Sequence, residues 1–404
     1  VLWVGMDDGN LQVSRDGGST WTEVSGNVPG LPYGTYVSRI TPSAAEPGRA
    51  YAAFDGHRDG DFSPYLYRTR DFGESWEPIM DNLPSGAVND VIEHPDNTDV
   101  LFVGTEHFLF ASTDAGESWA RFRNMPTTHY DDILIHPREK DLVIGTHGQS
   151  IWVLDDTRPL AEWNARTAAA SAHLFSVREA TIFTYWKDTS YRGQAEFAGE
   201  NPVDGAIITY NLGEGNGDAL LRVTADDGTV IREYEVPSDP GLHRVNWDLR
   251  HPAQLDAGPE AWESFAGQRY HRNLGNRGHF VSPGTYTLTL EARGTSVSTT
   301  VDVKGDPLMP LTQAQYEERE DFLTGIQELL TEFTEALGGP GFRRGDIQEM
   351  TDEERMLQAH RRNVMGVYND LNGSGVRQGS LYPPTETHRE MVSAAREALA
   401  THQH

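Results

Sequence analysis

Short apolar runs broken by glycine-rich turns set the rhythm of the first 160 residues. Four stretches line up on their glycines: LWVGMDDGNLQVSRDGGSTW, AYAAFDGHRDGDFSPYLYRTRDFGESW, LFVGTEHFLFASTDAGESW and LVIGTHGQSIWVLDD. Each reads as an apolar strand, a loop and a second apolar strand, and in the first three a turn bearing Asp, then Trp, completes the unit. Between them lie SRITPS, DVIEHP and DILIHP, short apolar strands closed by Pro. A repeat of about 45 residues with several strands per unit is the range of a β-propeller blade. The predicted blade order is inner strand, VGT-type strand, turn-bearing strand and an outer strand opened by Trp.

The period changes downstream. After TRPLAEW the run ARTAAASAH is small and featureless and predicts a linker over 161–172. From 173 to 305 the alternation is two: Ala206, Ile208, Tyr210 and Leu212, then Leu221, Val223 and Ala225, then Tyr286, Leu288 and Leu290. With ADDGTV and SPGTYTLTLEA supplying turns, this predicts a β-sandwich. Over 306–404 apolar residues recur at spacings of three and four: Leu323, Ile326, Leu330, Phe333 and Leu337 on one helix, Leu357, Val364, Tyr368 and Leu371 on a second. A third helix starts at Thr385 and carries Met391, Val392, Ala395 and Leu399. Thr312 with Gln315 and Thr351 with Glu354 have the spacing of capping boxes. The expected class is mainly β, with propeller blades over 1–160, the sandwich, and a helical C-terminal region.

SRDGGSTW, TRDFGESW and STDAGESW share one form, S/T-x-D-x-G-x-T/S-W. In such a turn the Asp carboxylate accepts hydrogen bonds from hairpin amides, Gly takes the positive φ, and the Ser or Thr hydroxyl adds a local bond. Trp would wedge between neighbouring blades with its N–H satisfied. Ser14, Asp16, Gly18 and Trp21 are therefore architectural, as are Thr69, Asp71, Gly73 and Trp76, and Ser112, Asp114, Gly116 and Trp119.

At these residues the chain resembles the Asp-box, or BNR-repeat, propellers, a group that includes sialidases, two-propeller xyloglucanases and sortilin-like ectodomains. With GTYVSRI and LVIGTHGQSIWVLDD added, it looks most like the large bacterial proteins described as sortilin-like or as glycosyl hydrolases, and that resemblance covers the whole chain. It implies a secreted or periplasmic protein that binds a polysaccharide, with hydrolysis of it as the enzymatic form of that reading, or alternatively a non-catalytic receptor or scaffold for a peptide or protein. No cofactor is implied. DDGTVIREYEV, GLHRVNWDLR and PGTYTLTLE are similar to a small immunoglobulin-like domain of secreted bacterial proteins, with Trp247 expected in its core. Four blades, the first without an inner strand and the last without an outer one, do not close a ring. The chain also opens on VLWVGMDDGN, a strand already under way. The expectation is the C-terminal portion of a larger propeller whose other blades come from the same precursor or another chain.

Successive hairpins of a blade emerge at opposite ends, so the loops away from the Asp-boxes form one face. That face gathers Tyr33, Tyr36, Asp55, His57, Arg58, His107, His129, Tyr130 and His147 as ligand-contacting candidates. Asp59, Asp61, Glu106 and Asp131 are the carboxylates able to act as acid and base across a glycosidic bond. The competing reading is a solvated set of polar turns, and binding or structure is preferred to catalysis. Arg39 and Arg58 alone do not make the arginine set with which a sialidase holds a carboxylate.

Charge and composition narrow the partners. The 404 residues carry 33 basic and 61 acidic side chains, a net charge of −28, which repels phosphate backbones and argues against nucleic acid. Only Lys140, Lys187 and Lys304 are lysines; the acidity fits either a high-salt habitat or a GC-rich genome. With no cysteine, disulfides and thiolate metal sites are excluded. There is no H-E-x-x-H and no EF-hand loop, so no metal is expected at GMDDGN or RDGDF. No apolar run approaches the roughly 20 residues of a membrane span.

Overall fold

A computed structural model describes residues 1–184, 203–253, 260–261 (backbone), 278–339, 350–373 and 379–402. The chain divides into two compact units, Val1–Ala168 and Ala169–His404.

In the first unit four small antiparallel sheets follow one another along the chain. The first holds β1 (Leu2–Gly5), β2 (Leu11–Ser14) and β3 (Thr22–Glu23). The second holds β4 (Tyr36–Pro42), β5 (Ala50–Asp55), β6 (Tyr65–Thr69) and β7 (Glu77–Pro78). The third is built from β8 (Val88–His94), β9 (Asn97–Thr105), β10 (Leu109–Ser112) and β11 (Ala120–Arg121), the fourth from β12 (Tyr130–Ile135), β13 (Leu142–Thr146) and β14 (Ile151–Leu154). This is the strand order that the repeat predicts. Strands such as AYAAF are apolar without alternation because both faces are covered. Tyr51 and Ala53 pack with Leu101 and Val103 of the third sheet, while Ala52 and Phe54 pack with Leu11 and Val13 of the first.

The inner strands β4, β8 and β12 lie side by side, and polar side chains tie them together. Ser38 Oγ donates to the Val88 carbonyl at 2.6 Å and Thr41 Oγ1 to that of Val91 at 2.8 Å. Buried Asp90 accepts from the Ile133 amide at 2.7 Å and pairs with Arg39, whose guanidinium also pairs with Asp132. Burial pushes the Asp90 carboxyl up to about 6, with Arg39 and the Ile133 amide pulling against it. The histidine of DVIEHP is fully buried: His94 Nδ1 accepts from the Asp96 amide at 3.1 Å, which leaves Nε2 to donate to Thr157 Oγ1 at 3.0 Å.

All three Asp-box turns close the same way. The hydroxyl of Ser14, Thr69 or Ser112 donates to its Asp Oδ1 at 2.7–2.9 Å and accepts from the Gly18, Gly73 or Gly116 amide at 2.8–2.9 Å. Oδ1 also accepts the amide of Thr20, Ser75 or Ser118 at 2.9 Å, and Oδ2 takes that residue's hydroxyl. The leading Ser or Thr of each turn is buried, whereas the carboxylates are not. Bonds from the Thr20 amide and hydroxyl, then from the Ser14 hydroxyl, hold the Asp16 carboxyl down at about 2. The tryptophans differ. Trp119 is buried and donates Nε1 to the Ile79 carbonyl at 2.7 Å. Trp76 packs edge-on against Trp3 with ring centres 6.0 Å apart, and its Nε1 has no partner among the described residues. Trp21 is 40% exposed.

The stretch 161–172, expected as a linker, carries structure of its own. Two short helices, α1 (Arg158–Glu162) and α2 (Ala165–Ala169), flank Asn164, whose Oδ1 caps the Arg166 and Thr167 amides at 2.9 and 3.2 Å.

Among the described residues the second unit holds two sheets over one core. Strands β15 (Ala172–Leu174), β17 (Ala206–Leu212) and β20 (Gly241–Trp247) form the smaller. The larger runs in the order β16 (Ala180–Thr181), β23 (Thr295–Lys304), β22 (Gly284–Ala292), β18 (Ala219–Thr224), β19 (Val230–Val236) and β21 (Glu260–Ala261). Its outer pairs, β16 with β23 and β19 with β21, are parallel. Trp247 is fully buried between the sheets, edge-on to Tyr286, and donates Nε1 to the Arg250 carbonyl at 3.1 Å. Among the described residues three helices follow: α3 (Gln313–Ala336), α4 (Asp352–Asn372) and α5 (Glu386–His402). Their starts are capped as expected, with the Thr312 amide on Gln315 Oε1 at 2.8 Å and the Thr351 amide on Glu354 Oε2 at 2.6 Å. On α3 the buried stripe is Leu323, Ile326, Leu329 and Phe333, with Leu330 and Leu337 only partly covered. α3 packs against both α4 and α5, so its covered arc is wider than a single row.

Candidate ligand-binding face

The loops opposite the Asp-box turns bring a row of carboxylate and imidazole groups together across the third and fourth sheets. Thr105 shapes the first of them: its Oγ1 accepts from the Phe108 amide at 3.0 Å and donates to the Phe108 carbonyl at 2.9 Å, so that the TEHF turn presents Glu106 and His107. The Glu106 amide is tied to the Ala87 carbonyl at 2.9 Å. Gly86, at φ +136°, lies against this pair, where a Cβ would come within 3.4 Å of the His107 ring. Side chains do not crowd the position because glycine alone adopts that backbone comfortably.

Glu106 sits between two imidazoles. Its Oε2 is 4.0 Å from His107 Nε2 and its Oε1 4.0 Å from His129 Nε2. Oε2 is enclosed and has no hydrogen-bond partner among the described residues. The row continues through His129 and His147, whose ring centres are 5.9 Å apart, to Asp131, whose Oδ2 is 3.4 Å from His147 Nδ1. Backbone bonds hold the loops in step: Thr128 donates to the His107 carbonyl at 3.2 Å and His147 to that of His129 at 3.0 Å.

Tyr130, expected on this face, is instead buried, with its hydroxyl donating to the Pro126 carbonyl at 2.6 Å. The cause is a bulge. The β12 ladder slips between Tyr130 and Asp132, so simple alternation back from buried Ile133 would have turned Asp131 inward and Tyr130 outward. The extra residue reverses both. The inner strands β4 and β8 slip at the matching points, between Val37 and Arg39 and between Val88 and Asp90.

The long loop of the second sheet supplies a separate group. Asp55 holds the His57 amide at 2.9 Å and the His57 ring at 2.5 Å, and Arg58 lies 5.3 Å from the centre of the Tyr36 ring. Asp61 accepts from the Tyr65 hydroxyl at 2.7 Å and the Ser63 amide at 3.0 Å, bonds that hold its carboxyl below the usual range. Asp59 is exposed in the turn His57–Asp59, and Tyr33 is fully exposed on the preceding link. The sequence reading missed Phe62. Its ring is half exposed, and its carbonyl accepts from the Gly86 amide at 2.8 Å, which joins this loop to the Glu106 row. An aromatic inside the polar run DGDFSP was the signal available.

Comparison with known proteins finds similarity to several. Residues 65–191 match the model of the Sortilin-Vps10 family, described as sortilin, neurotensin receptor 3. The photosystem II assembly lipoprotein Ycf48 of a Synechococcus species is 26% identical over 165 residues, covering 40% of this chain and 44% of that protein. An oligoxyloglucan-reducing end-specific xyloglucanase of Emericella nidulans is 27% identical over 125 residues, 31% of this chain and 15% of the enzyme. The chain thus spans less than half the length of either relative. Among solved structures, a GH74 xyloglucanase from Xanthomonas campestris is similar at 15% identity and a TM-score of 0.32, covering 73% of this chain and 59% of that one. Ycf48 bound to D1 peptide is similar at 16% identity and a TM-score of 0.29, covering 38% and 48%.

Proposed function

We propose that this Asp-box propeller protein, related in sequence to sortilin, Ycf48 and xyloglucanases, binds a polysaccharide across the face opposite its Asp-box turns, with Glu106 at the centre of the contact. The observation that carries the reading is the Glu106 carboxylate set between His107 and His129, with its enclosed Oε2 lacking a hydrogen-bond donor among the described residues. A carboxylate oxygen left without a donor is costly, and a sugar hydroxyl is a donor that would relieve it. Half-exposed Phe62 and fully exposed Tyr33 offer rings on which sugar faces stack.

Hydrolysis is a further step of the same proposal. It needs an acid and a base on opposite sides of one glycosidic bond, and Glu106 with Asp131 is the pair this face offers. Asp61 is committed to Tyr65 and Ser63, and its lowered range suits a brace rather than a proton donor. The second reading is a receptor or scaffold for a basic peptide, supported by the carboxylates that line the same loops and by a relative solved with a peptide. Either reading puts the protein in a secreted or periplasmic setting, with further blades of the same polypeptide or another chain extending the face.

Calorimetric titration with xyloglucan oligosaccharides, alongside an arginine-rich peptide, decides between them. Oligosaccharide binding weakened roughly tenfold by Glu106→Gln is expected, since the amide keeps the shape but loses an acceptor and the charge. Peptide binding without any glycan binding would transfer the site to the second reading. Product release that disappears in both Glu106→Gln and Asp131→Asn would establish cleavage.

A further inference from the structure

We infer that the seam between the sheets and the helices of the second unit is a latch released by acid, with the His279 ring as its catch. In mildly acidic solution α3 and α4 lose their hold on the sheets, while the sheets stay folded. The device lies within the second unit and goes beyond the ligand reading of the first.

Apolar packing is largely divided at this seam. One buried cluster joins the sheets, Ile208, Trp247 and Leu288 among its members, and takes in Tyr316 and Leu381. A separate cluster joins the three helices through Leu323, Phe333, Leu357, Val364 and Leu399. Where sheets and helices meet, buried polar side chains take over. They are Arg250, His279 and Ser282 on the sheet side and Arg319, Gln327 and Asn372 on the helix side, each at most 8% exposed.

Hydrogen bonds cross the seam in place of apolar contacts. The Glu320 carboxylate of α3 accepts from His251 Nε2 at 2.6 Å and from the Ser282 amide at 2.7 Å. Arg250 donates to Asn372 Oδ1 of α4 at 2.8 Å, and Gln327 Nε2 donates to the Pro252 and Ala253 carbonyls at 3.3 and 3.1 Å.

His279 sits where these ties converge. Its ring stacks on His251 with centres 4.5 Å apart, meets Tyr368 of α4 edge-on at 6.4 Å, and has Nε2 3.0 Å from Thr324 Oγ1 of α3. Nδ1 is enclosed and makes no hydrogen bond of ordinary geometry. Among the described residues the titratable and charged groups around the ring are Arg250 and His251 from the segment after β20, Arg319 and Glu320 from α3, and Tyr368 from α4. Glu320 already spends both oxygens on His251 and Ser282. Burial first, then His251, Arg319 and Arg250, hold the His279 ring well below its ordinary 6.5, with Gln327 pulling weakly the other way.

The closed seam therefore keeps the ring neutral, whereas an opened seam exposes a ring that takes up a proton below about 6.5. Each pH unit below that value shifts the balance toward opening by about tenfold. Because sheets and helices own separate apolar clusters, the seam can part with little more than Tyr316 and Leu381 to withdraw.

Hydrogen exchange of the 404-residue chain, read residue by residue as protection corrected for the intrinsic rate, locates the opening. The Ser282 amide, held across the seam by Glu320, is the reporter. Its protection should fall about thirtyfold between pH 6.5 and pH 5, while the amides of Leu221 in β18 and Leu288 in β22 keep theirs. His279→Gln should remove this slope, and Thr324→Val, which spares the ring, should retain it. The His94→Gln chain should behave as the parent does, since that ring belongs to the first unit. A Ser282 amide indifferent to pH overturns the proposal, as does a loss shared equally by Leu221 and Leu288, or a His279→Gln chain that keeps the slope. If that variant does not fold, the comparison of Ser282 with Leu221 and Leu288 in the parent chain still decides.

Discussion

Asp114 and Glu106 sit at opposite ends of the third sheet and use their oxygens in opposite ways. Asp114 takes the Ser112 and Ser118 hydroxyls and the Ser118 amide. Glu106 leaves Oε2 enclosed beside two histidines, with no hydrogen-bond donor among the described residues. The first arrangement lowers the energy of one backbone turn and leaves nothing over for a ligand. The second forgoes that gain, as expected where a polar group is kept ready for something that arrives later. Acidic residues in this chain are thus told apart by their partners rather than by their type.

The contrast can be broken most strongly at the indoles of the Asp-box end. Trp119→Ala should cost about 3–5 kcal/mol by opening a cavity between the second and third sheets, whereas Trp21→Ala, on an open side, should cost under ~1 kcal/mol. Urea midpoints of the two variants test the difference.

Acid should come next. Burial holds His94 well down, to about 4, against an ordinary value of 6.5. The folded form therefore keeps this ring neutral while the unfolded chain takes up a proton, and stability is lost as pH falls from about 6.5 to about 4. The loss should amount to roughly 3 kcal/mol. Denaturation at pH 7 and pH 4.5 measures it, and His94→Gln should flatten the slope.

Within the turn itself, Ser112→Ala leaves the Gly116 amide buried without its acceptor and should cost about 1–3 kcal/mol. Differential scanning calorimetry would register it. At the other end Glu106→Gln should change stability by less than ~0.5 kcal/mol, since no hydrogen bond among the described residues depends on Oε2. A large loss there, seen in the same calorimeter, would make Glu106 a structural residue and remove the contrast.

Much of the fold was legible along the chain. Strand pairs, Asp-box turns and helix caps depend on residues a few positions apart, and the chemistry of a tight turn or a capping box is complete within those few. Thr351 with Glu354, or Ser112 with Asp114 and Gly116, needs nothing from elsewhere to declare itself. The candidate face was legible only as a set of loops. Glu106, His107, His129 and His147 were named from strand parity, yet their order in a row, and the junction of Phe62 with Gly86, depend on loops from different sheets.

Residue types and short-range spacing by themselves determined four successive sheets, the form of three turns and the start points of the C-terminal helices. Tertiary structure decided which way side chains point where a ladder slips, and which copies of a repeated position find cover. A bulge at Asp131 exchanges the inside and outside of its neighbours, so Tyr130 enters the core. Leu109 and Ile151 stand at one register, yet Leu109 is buried against the fourth sheet while Ile151 is exposed. Both outcomes depend on backbone pairing between distant segments, and burial is a property of what lies opposite rather than of the residue that is buried.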